Sequence, residues 1–577
     1  MAQSRPVVVR RAGDAGIPAG LQEIDPLLAR LYATRGVRAV AELDYALARI
    51  APVGALEGVE AAVDLLLANR ERRIIVIGDF DVDGATSTAL MLRSLAEFGF
   101  SDVSYLVPNR FHYGYGLTRD IVRVAAERKP ALIVTVDNGI SSLAGVREAK
   151  ASGIDVLITD HHLPGPELPA ADVIVNPNLP GGHFPSHSLA GVGVAFYVMA
   201  ALGRRLEQGG MAGAAKIPAR YLDLVALGTV ADVVPLDYNN RILVKQGIDR
   251  IRAGRTVPGI LALLERAGRE TAQVVSGDLA FAVGPRLNAA GRLEDMALGI
   301  DCLLTDDSEV AAHHAGVLDD INHERREIES TMREQAFAYV DSLDRRAWPD
   351  CVCVYEKNWH QGIVGLIAAR VRERCHRPVV AFAADADRQL KGSMRSIPGI
   401  HARDLIEAVS GTHSGLVARF GGHAMAAGLT IAAQDYKVFA DAIANQVRRL
   451  YPQADFSGAI VTDGVLTAQA VARFGGLLKL ARGLRDAGPW GSEFPEPLWI
   501  GDFDVLEQRT VGEKHAKLRV RAVEGGASVD AIAFNQATPA RRGPVRLAFR
   551  LDVNRYGGVE SPQLVVEQIV TVAAGTT

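Results

Sequence analysis

Between Arg73 and Val175 short apolar runs alternate with helical stretches. The runs are Ile74–Ile77, Leu132–Val136, Val156–Thr159 and Val173–Val175, with helical character over Thr88–Phe98 and Leu143–Ala151. Strands alternating with helices predict a parallel sheet covered on both faces. A polar cluster follows each run directly, at the strand ends where open parallel sheets place their ligands.

Farther on, Val310, Val317, Ile321, Ile328 and Met332 recur at helical spacing. They predict one long amphipathic helix from Ser308 to Leu343, a connector between domains. A second α/β unit opens at Pro349, with strands Cys351–Tyr355 and Val379–Phe382 around a helix Gly362–Arg374. After Phe456 the pattern changes to strands alone: Trp499–Val505, His515–Val523, Ser528–Phe534 and Val545–Val553. Short strands at this spacing predict a small β-barrel. The fold class is α/β, divided as an extension (1–52), a parallel-sheet domain (53–300), a connector helix (301–345), a second α/β domain (346–455) and a barrel (456–577).

Composition agrees with a globular chain: 577 residues, 48% hydrophobic and 23% charged. Sixty-three basic side chains face 67 acidic ones, so the chain is not coated in positive charge. A polyanion would then bind through a local groove, because the field depends on where charges sit. Four cysteines without paired CxxC motifs exclude a zinc ribbon and fit a reducing compartment. The longest apolar stretch, Leu189–Leu202, falls short of the roughly 20 residues of a membrane span and reads as a buried helix. With no signal-peptide pattern at the N-terminus, a cytoplasmic location is expected, with no membrane partner.

The segment Ile77-Gly78-Asp79-Phe80-Asp81-Val82-Asp83-Gly84 places three alternating aspartates after a strand. Like charges this close resist ionising together unless they diverge into solvent or a cation holds them. A calcium loop would need Glu at position 90, which is Leu90. Asp137 in VDNG, Asp160-His161-His162, and Asp232 within ALGTVADVVPL add further acid and imidazole groups. Singly, each reads as a cap or a structural side chain. Together they read as an oxygen-rich site with one imidazole, suited to Mg²⁺ or Mn²⁺. One or two such ions can activate water and support phosphoryl displacement.

Seven motifs occur in order: GDFDVDGATSTA, VTVDNGI, TDHHLP, ALGTVADVVPL, GPRLNAAGR, WHQGIVGLIAAR and ARFGGHAMAAG. In these the chain resembles the DHH phosphoesterase superfamily over nearly its whole length. The resemblance implies metal ligands at Asp81, Asp83, Asp137, His161 and Asp232, with Asp137 bridging two ions. It places His162 near the scissile phosphate and groups Asp137, Asp160, His161 and His162 as catalytic. Many members carry His at the position of Ile77, and Asp79 is expected to substitute for it. Arginines beside glycines suit a phosphate backbone. On that ground and the resemblance, Arg110, Arg286, Asn288, Ser393, Arg395, Gly422 and His423 are expected to contact DNA. Tyr113 and Tyr115 have rings that could stack on bases, but loop tyrosines more often pack, so they are left out of the site. The second α/β domain resembles the DHH-associated domain, and the barrel an oligonucleotide-binding (OB) fold. The implied activity is 5'→3' hydrolysis of single-stranded DNA to 5'-mononucleotides in recombination and repair. The implied partners are a 5' DNA end, a single-strand-binding protein and a helicase.

Overall fold

The computed structural model describes residues 8–11, 16–109, 113–344, 348–385, 388–512, 514–536, 544–555 and 558–570. The chain forms two compact units. One comprises the described part of Asp320–Ile460, the other the described parts of Val8–Asp319 and Val461–Thr577.

The larger unit contains a parallel sheet of β1 (Ile74–Gly78), β2 (Val103–Leu106), β3 (Leu132–Val136), β4 (Asp155–Thr159) and β5 (Val173–Val175), in the order β2-β1-β3-β4-β5. Strands β1 and β3 are buried throughout. Alternate side chains of β1 feed two cores, as the two-residue period of a strand requires. Ile74 and Val76 join one cluster, and Ile75 and Ile77 another with Leu117, Ile121 and Ile133. Ile77, at the position of the superfamily histidine, is therefore a core residue.

Helix α1 (Val82–Glu97) begins six residues before the predicted start. Its N-cap is Asp81, whose Oδ1 accepts the Gly84 amide at 3.1 Å, so Asp83 lies inside the first turn. The helical pattern was hidden there because acids and Gly open the helix. Helices α2 (Arg119–Glu127) and α3 (Leu143–Ala151) cover the sheet on the side of Ile75 and Ile77. Helices α4 (Gly191–Gln208) and α5 (Leu222–Ala231) pack with α1 on the other. Asp232 is the C-cap of α5, so this acid comes from a helix end and not from a strand end of the sheet. Helix α6 (Gly284–Leu293) follows a π-helical turn, Leu279–Val283.

The predicted connector is helix α7, Ser308–Ser342. The smaller unit then builds a mixed sheet from β6 (Val352–Tyr355), β7 (Val379–Ala384), β8 (Gln389–Arg395), β9 (Arg419–Gly422) and β10 (Ala426–Ala432), ordered β9-β10-β8-β7-β6. Helix α8 (Val364–Cys375) joins the parallel pair β6 and β7. Strands β8 and β10 were missed because KGSMR and AAGLT carry no apolar run.

The C-terminal strands close into a barrel: β11 (Trp499–Val511), β12 (His515–Ala522), β13 (Val529–Ala533), β14 (Pro544–Asn554) and β15 (Ser561–Val570), ordered β11-β12-β13-β15-β14. Strand β15 is an addition to the predicted four. Trp499, Leu547 and Ala531 lie in the barrel core. Among the described residues no helix is long and apolar enough to cross a membrane.

Candidate metal centre

The acids gather because of strand order. Strand β3, which leads directly to Asp137, lies between β1, which leads to Asp79 and Asp81, and β4, which leads to Asp160 and His161. Ligand atoms of Asp79, Asp81 and Asp137 lie within 4.8 Å of one another, and so do those of Asp137, His161 and His162. A third group joins Asp83, His161 and Asp232 within the same limit. His161 Nε2 stands 3.1 Å from Asp137 Oδ1, 3.6 Å from Asp232 Oδ2 and 3.9 Å from Asp83 Oδ2. All six expected ligands thus converge, and Asp137 belongs to two groups.

Backbone groups hold several of these residues in place. Asp83 accepts the amides of Gly191 at 2.6 Å and Val192 at 2.8 Å, so it sits on the positive end of α4. Asp79 accepts the Phe80 amide at 2.8 Å. Asp137 is left-handed at φ 61°, a costly conformation for a residue with a Cβ. Its amide bonds Thr159 O on β4, and Asn138 Nδ2 bonds Ile77 O and Val136 O, pinning the ends of β1 and β3. Val233, just past Asp232, is also left-handed at φ 63° although β-branched.

Three glycines make room for this packing. A Cβ on Gly84 would lie 2.5 Å from Asp79 O, and one on Gly191 2.7 Å from Asp137 Oδ1. A Cβ on Gly228 would lie 2.9 Å from Asp83 Oδ1 and 2.3 Å from Thr86 Oγ1. Sequence reading passed over Gly191 and Gly228, since what they contribute is the absence of an atom. Helix α6 is equally close: a Cβ on Gly291 would meet Phe80 O at 1.9 Å.

Burial, then the Asp81 carboxylate, raises Asp83 to about 7 against the hydrogen bonds from Val192 and Gly191. Burial and then Asp83 and Asp81 push Asp137 and Asp232 well above the usual carboxylate range. Carboxylates that repel one another in a buried pocket are the donor set a divalent cation satisfies. The residues therefore fit Mn²⁺ or Mg²⁺.

Asp160 differs from the other acids. It accepts the amides of Ile140 at 2.9 Å, His161 at 2.8 Å and His162 at 3.1 Å, and faces His162 Nδ1 at 2.7 Å. Burial works to raise its pKa, but the hydrogen bond and charge of His162 prevail and hold it at about 2. Burial likewise works to lower His162, and Asp160 outweighs it, lifting the imidazole to about 9. Asp160 thus orients His162 and favours its protonated form. Tyr113 packs with the Ile75 cluster as expected. Tyr115 does not: its hydroxyl lies 3.3 Å from His162 Nε2.

The expected DNA contacts divide between the units. Arg110 lies outside the described residues. In the larger unit Arg286 is buried, its Nε 2.9 Å from Asp319 and its Nη1 2.7 Å from Ala282 O, while Asn288 is half-buried one turn of α6 before Arg292. In the smaller unit Ser393 Oγ accepts from Arg395 Nη1 at 2.9 Å. A Cβ on Gly365 would lie 3.1 Å from Ser393 Oγ and 2.9 Å from Arg395 Nη2, so both side chains rest on the first turn of α8. Arg395 pairs in register with Ala426. The Gly422-His423 turn leads into that strand, with the His423 amide bonding Ala426 O at 2.7 Å.

Three family models match: the DHH family N-terminal domain over 73–229, the DHHA1 domain over 349–449 and the RecJ OB domain over 463–568. The chain is 49% identical to the single-stranded-DNA-specific exonuclease RecJ of Escherichia coli, over 96% of this chain and 97% of that one. It is 48% identical to the Salmonella typhimurium enzyme of the same name over 99% and 100% of the two chains. The crystal structure of Thermus thermophilus RecJ in complex with Mn²⁺ matches with a TM-score of 0.79 at 30% identity, covering 98% of this chain and 79% of that one.

Proposed function

The chain belongs to the RecJ family of single-stranded-DNA-specific exonucleases in the DHH superfamily, and from that premise we propose how its residues carry out the reaction. It is a metal-dependent exonuclease of single-stranded DNA that uses Mn²⁺ or Mg²⁺. Asp79, Asp81, Asp83, Asp137, His161 and Asp232 hold the ions. The observation that carries this is the double membership of Asp137, with Asp79 and Asp81 on one side and His161 and His162 on the other. Ions held there would supply activation of water and an offset to the charge on the phosphoryl group being displaced.

The chain's own groups do the rest. Asp160 keeps His162 protonated and fixed, so that its imidazolium faces the scissile phosphate and stabilises developing negative charge. Ser393 and Arg395, beside the first turn of α8, take the 5'-phosphate. Gly422 and His423 border them, and Arg110 and Asn288 contact the strand. Arg286, on α6 with its Nε 2.9 Å from Asp319, likewise serves strand or 5'-phosphate binding. The attack displaces the 3'-oxygen of the terminal nucleotide, releasing a 5'-mononucleotide and leaving a new 5'-phosphate. The enzyme thereby moves 5'→3', in the setting of recombination and repair, with a single-strand-binding protein and a helicase as companions.

Oligonucleotides labelled at the 5' or the 3' end test this reading. With Mn²⁺ present the 5' label is expected as mononucleotide at the earliest times. First release from the 3' label overturns the polarity. Absence of release from either end overturns the nuclease.

A further inference from the structure

Tyr115 was read from the sequence as a packing residue, and its surroundings contradict that. The residue is 49% exposed and, among the described residues, joins none of the apolar clusters, whereas Tyr113 two residues earlier does. Its hydroxyl lies 3.3 Å from His162 Nε2, 3.5 Å from His162 Nδ1 and 3.5 Å from the carbonyl oxygen of Asp137. Its ring stands edge-on to two rings of the metal centre, His162 and Phe80, each 6.0 Å away between centroids. Phe80 separates Asp79 from Asp81. Gly114 and Gly116 bracket the tyrosine, both left-handed, at φ 76° and 72°. An L side chain at either would strain the turn that delivers the hydroxyl. At Gly116 a Cβ would also approach Ser142 Oγ to 3.2 Å.

We propose that Tyr115 is a positioning residue for phosphodiester hydrolysis, bracing the His162 ring as a second contact beside Asp160. This rests on the nuclease reading above. The His162 ring is then held at Nδ1 by a buried carboxylate and braced along the edge between its two nitrogens by the phenol, whose oxygen lies 3.3 Å from Nε2 and 3.5 Å from Nδ1. A ring anchored at one atom can rock about it, and a second anchor aims Nε2 before the phosphate arrives. A preorganised donor needs no reorientation during the reaction. Because the ring of Tyr115 is half exposed and its turn is glycine-hinged, the hydroxyl can yield its place to a phosphate oxygen.

The test is steady-state kinetics of the full chain with Mn²⁺ and a 5'-phosphorylated single-stranded oligonucleotide. Tyr115→Phe removes the hydroxyl and keeps the ring. It is expected to lower kcat about tenfold with KM within about twofold. In a His162→Ala background the same change is expected to have no further effect, because the hydroxyl acts through that ring. Wild-type kcat in Tyr115→Phe, or an equal loss in both backgrounds, overturns the proposal. If the wild-type protein itself releases no nucleotide, it is the nuclease reading that has failed.

Discussion

His162 Nδ1 and Asp160 Oδ1 stand 2.7 Å apart, and the two pKa values move in opposite directions because of it. Asp160 completes its shell with three backbone amides and is not in any candidate ligand group among the described residues. Asp160→Asn keeps the shape but removes the charge. It is expected to lower kcat by about 10²-fold or more while the Mn²⁺ stoichiometry stays unchanged. Calorimetric titration beside single-turnover kinetics checks both halves. Loss of metal together with rate would make Asp160 part of the ion-binding shell instead.

Metal uptake is expected to release protons. Asp83 rises from 3.8 to about 7 in the ion-free chain, with Asp137 and Asp232 shifted the same way. Between those two values the folded chain binds the extra Asp83 proton, so this group's contribution to stability falls as pH rises through that window. A bound cation removes the cause of the shift. The gain in melting temperature on adding Mn²⁺ should therefore be larger at pH 8 than at pH 6. Calorimetry in buffers of differing ionisation enthalpy should show net proton release near pH 6.5. Equal gains and no proton release would sink this account.

Gly228→Ala places a methyl group 2.9 Å from Asp83 Oδ1 and 2.3 Å from Thr86 Oγ1. Crowding of this kind costs about 1–3 kcal/mol. The variant should fold with reduced stability and bind Mn²⁺ at least about tenfold more weakly. Unchanged affinity in a titration would show that α1 and α5 can part without moving Asp83.

Val233 is 66% exposed and left-handed, so its side chain contributes strain without packing. Val233→Gly is expected to raise unfolding stability by up to about 1 kcal/mol, the relief of the αL cost less the added freedom of the unfolded chain. Denaturant melts read the change directly. A loss of stability would mean that the side chain is held by contacts the fold does not display.

Arg395→Ala should narrow the rate ratio between 5'-phosphorylated and 5'-hydroxyl oligonucleotides by about tenfold, since a charge-assisted hydrogen bond is worth roughly 1.5–3 kcal/mol. Rates on both substrates falling equally would place Arg395 elsewhere along the strand.

The strand-end acids were legible because β1, β3 and β4 are nearly uninterrupted apolar runs, and whatever follows such a run lies at the ligand edge of the sheet. Asp232 was legible only as an acid among apolar residues, and its helix was not foreseen. Gly191 and Gly228 belong to helices distant in sequence, so the closeness that explains them exists only after folding. Tyr115 was passed over for a related reason. Loop residues have no periodicity, and its partner His162 lies 47 positions away. Strand β15 and the β8–β10 pair carry enough polar or small residues to blur an apolar pattern.

The order β1-β3-β4 also sets a length scale. Neighbouring strands in a sheet are about 4.8 Å apart. Paired metal ions that share a substrate phosphate stand roughly 3.5–4 Å apart. Three adjacent strands, each followed within three residues by a candidate ligand, are therefore a ruler already marked at close to the needed interval. The middle mark is Asp137, the carboxylate that belongs to two of the candidate groups. A variant that moved this carboxylate to an outer strand would keep the same inventory of acids and lose the spacing.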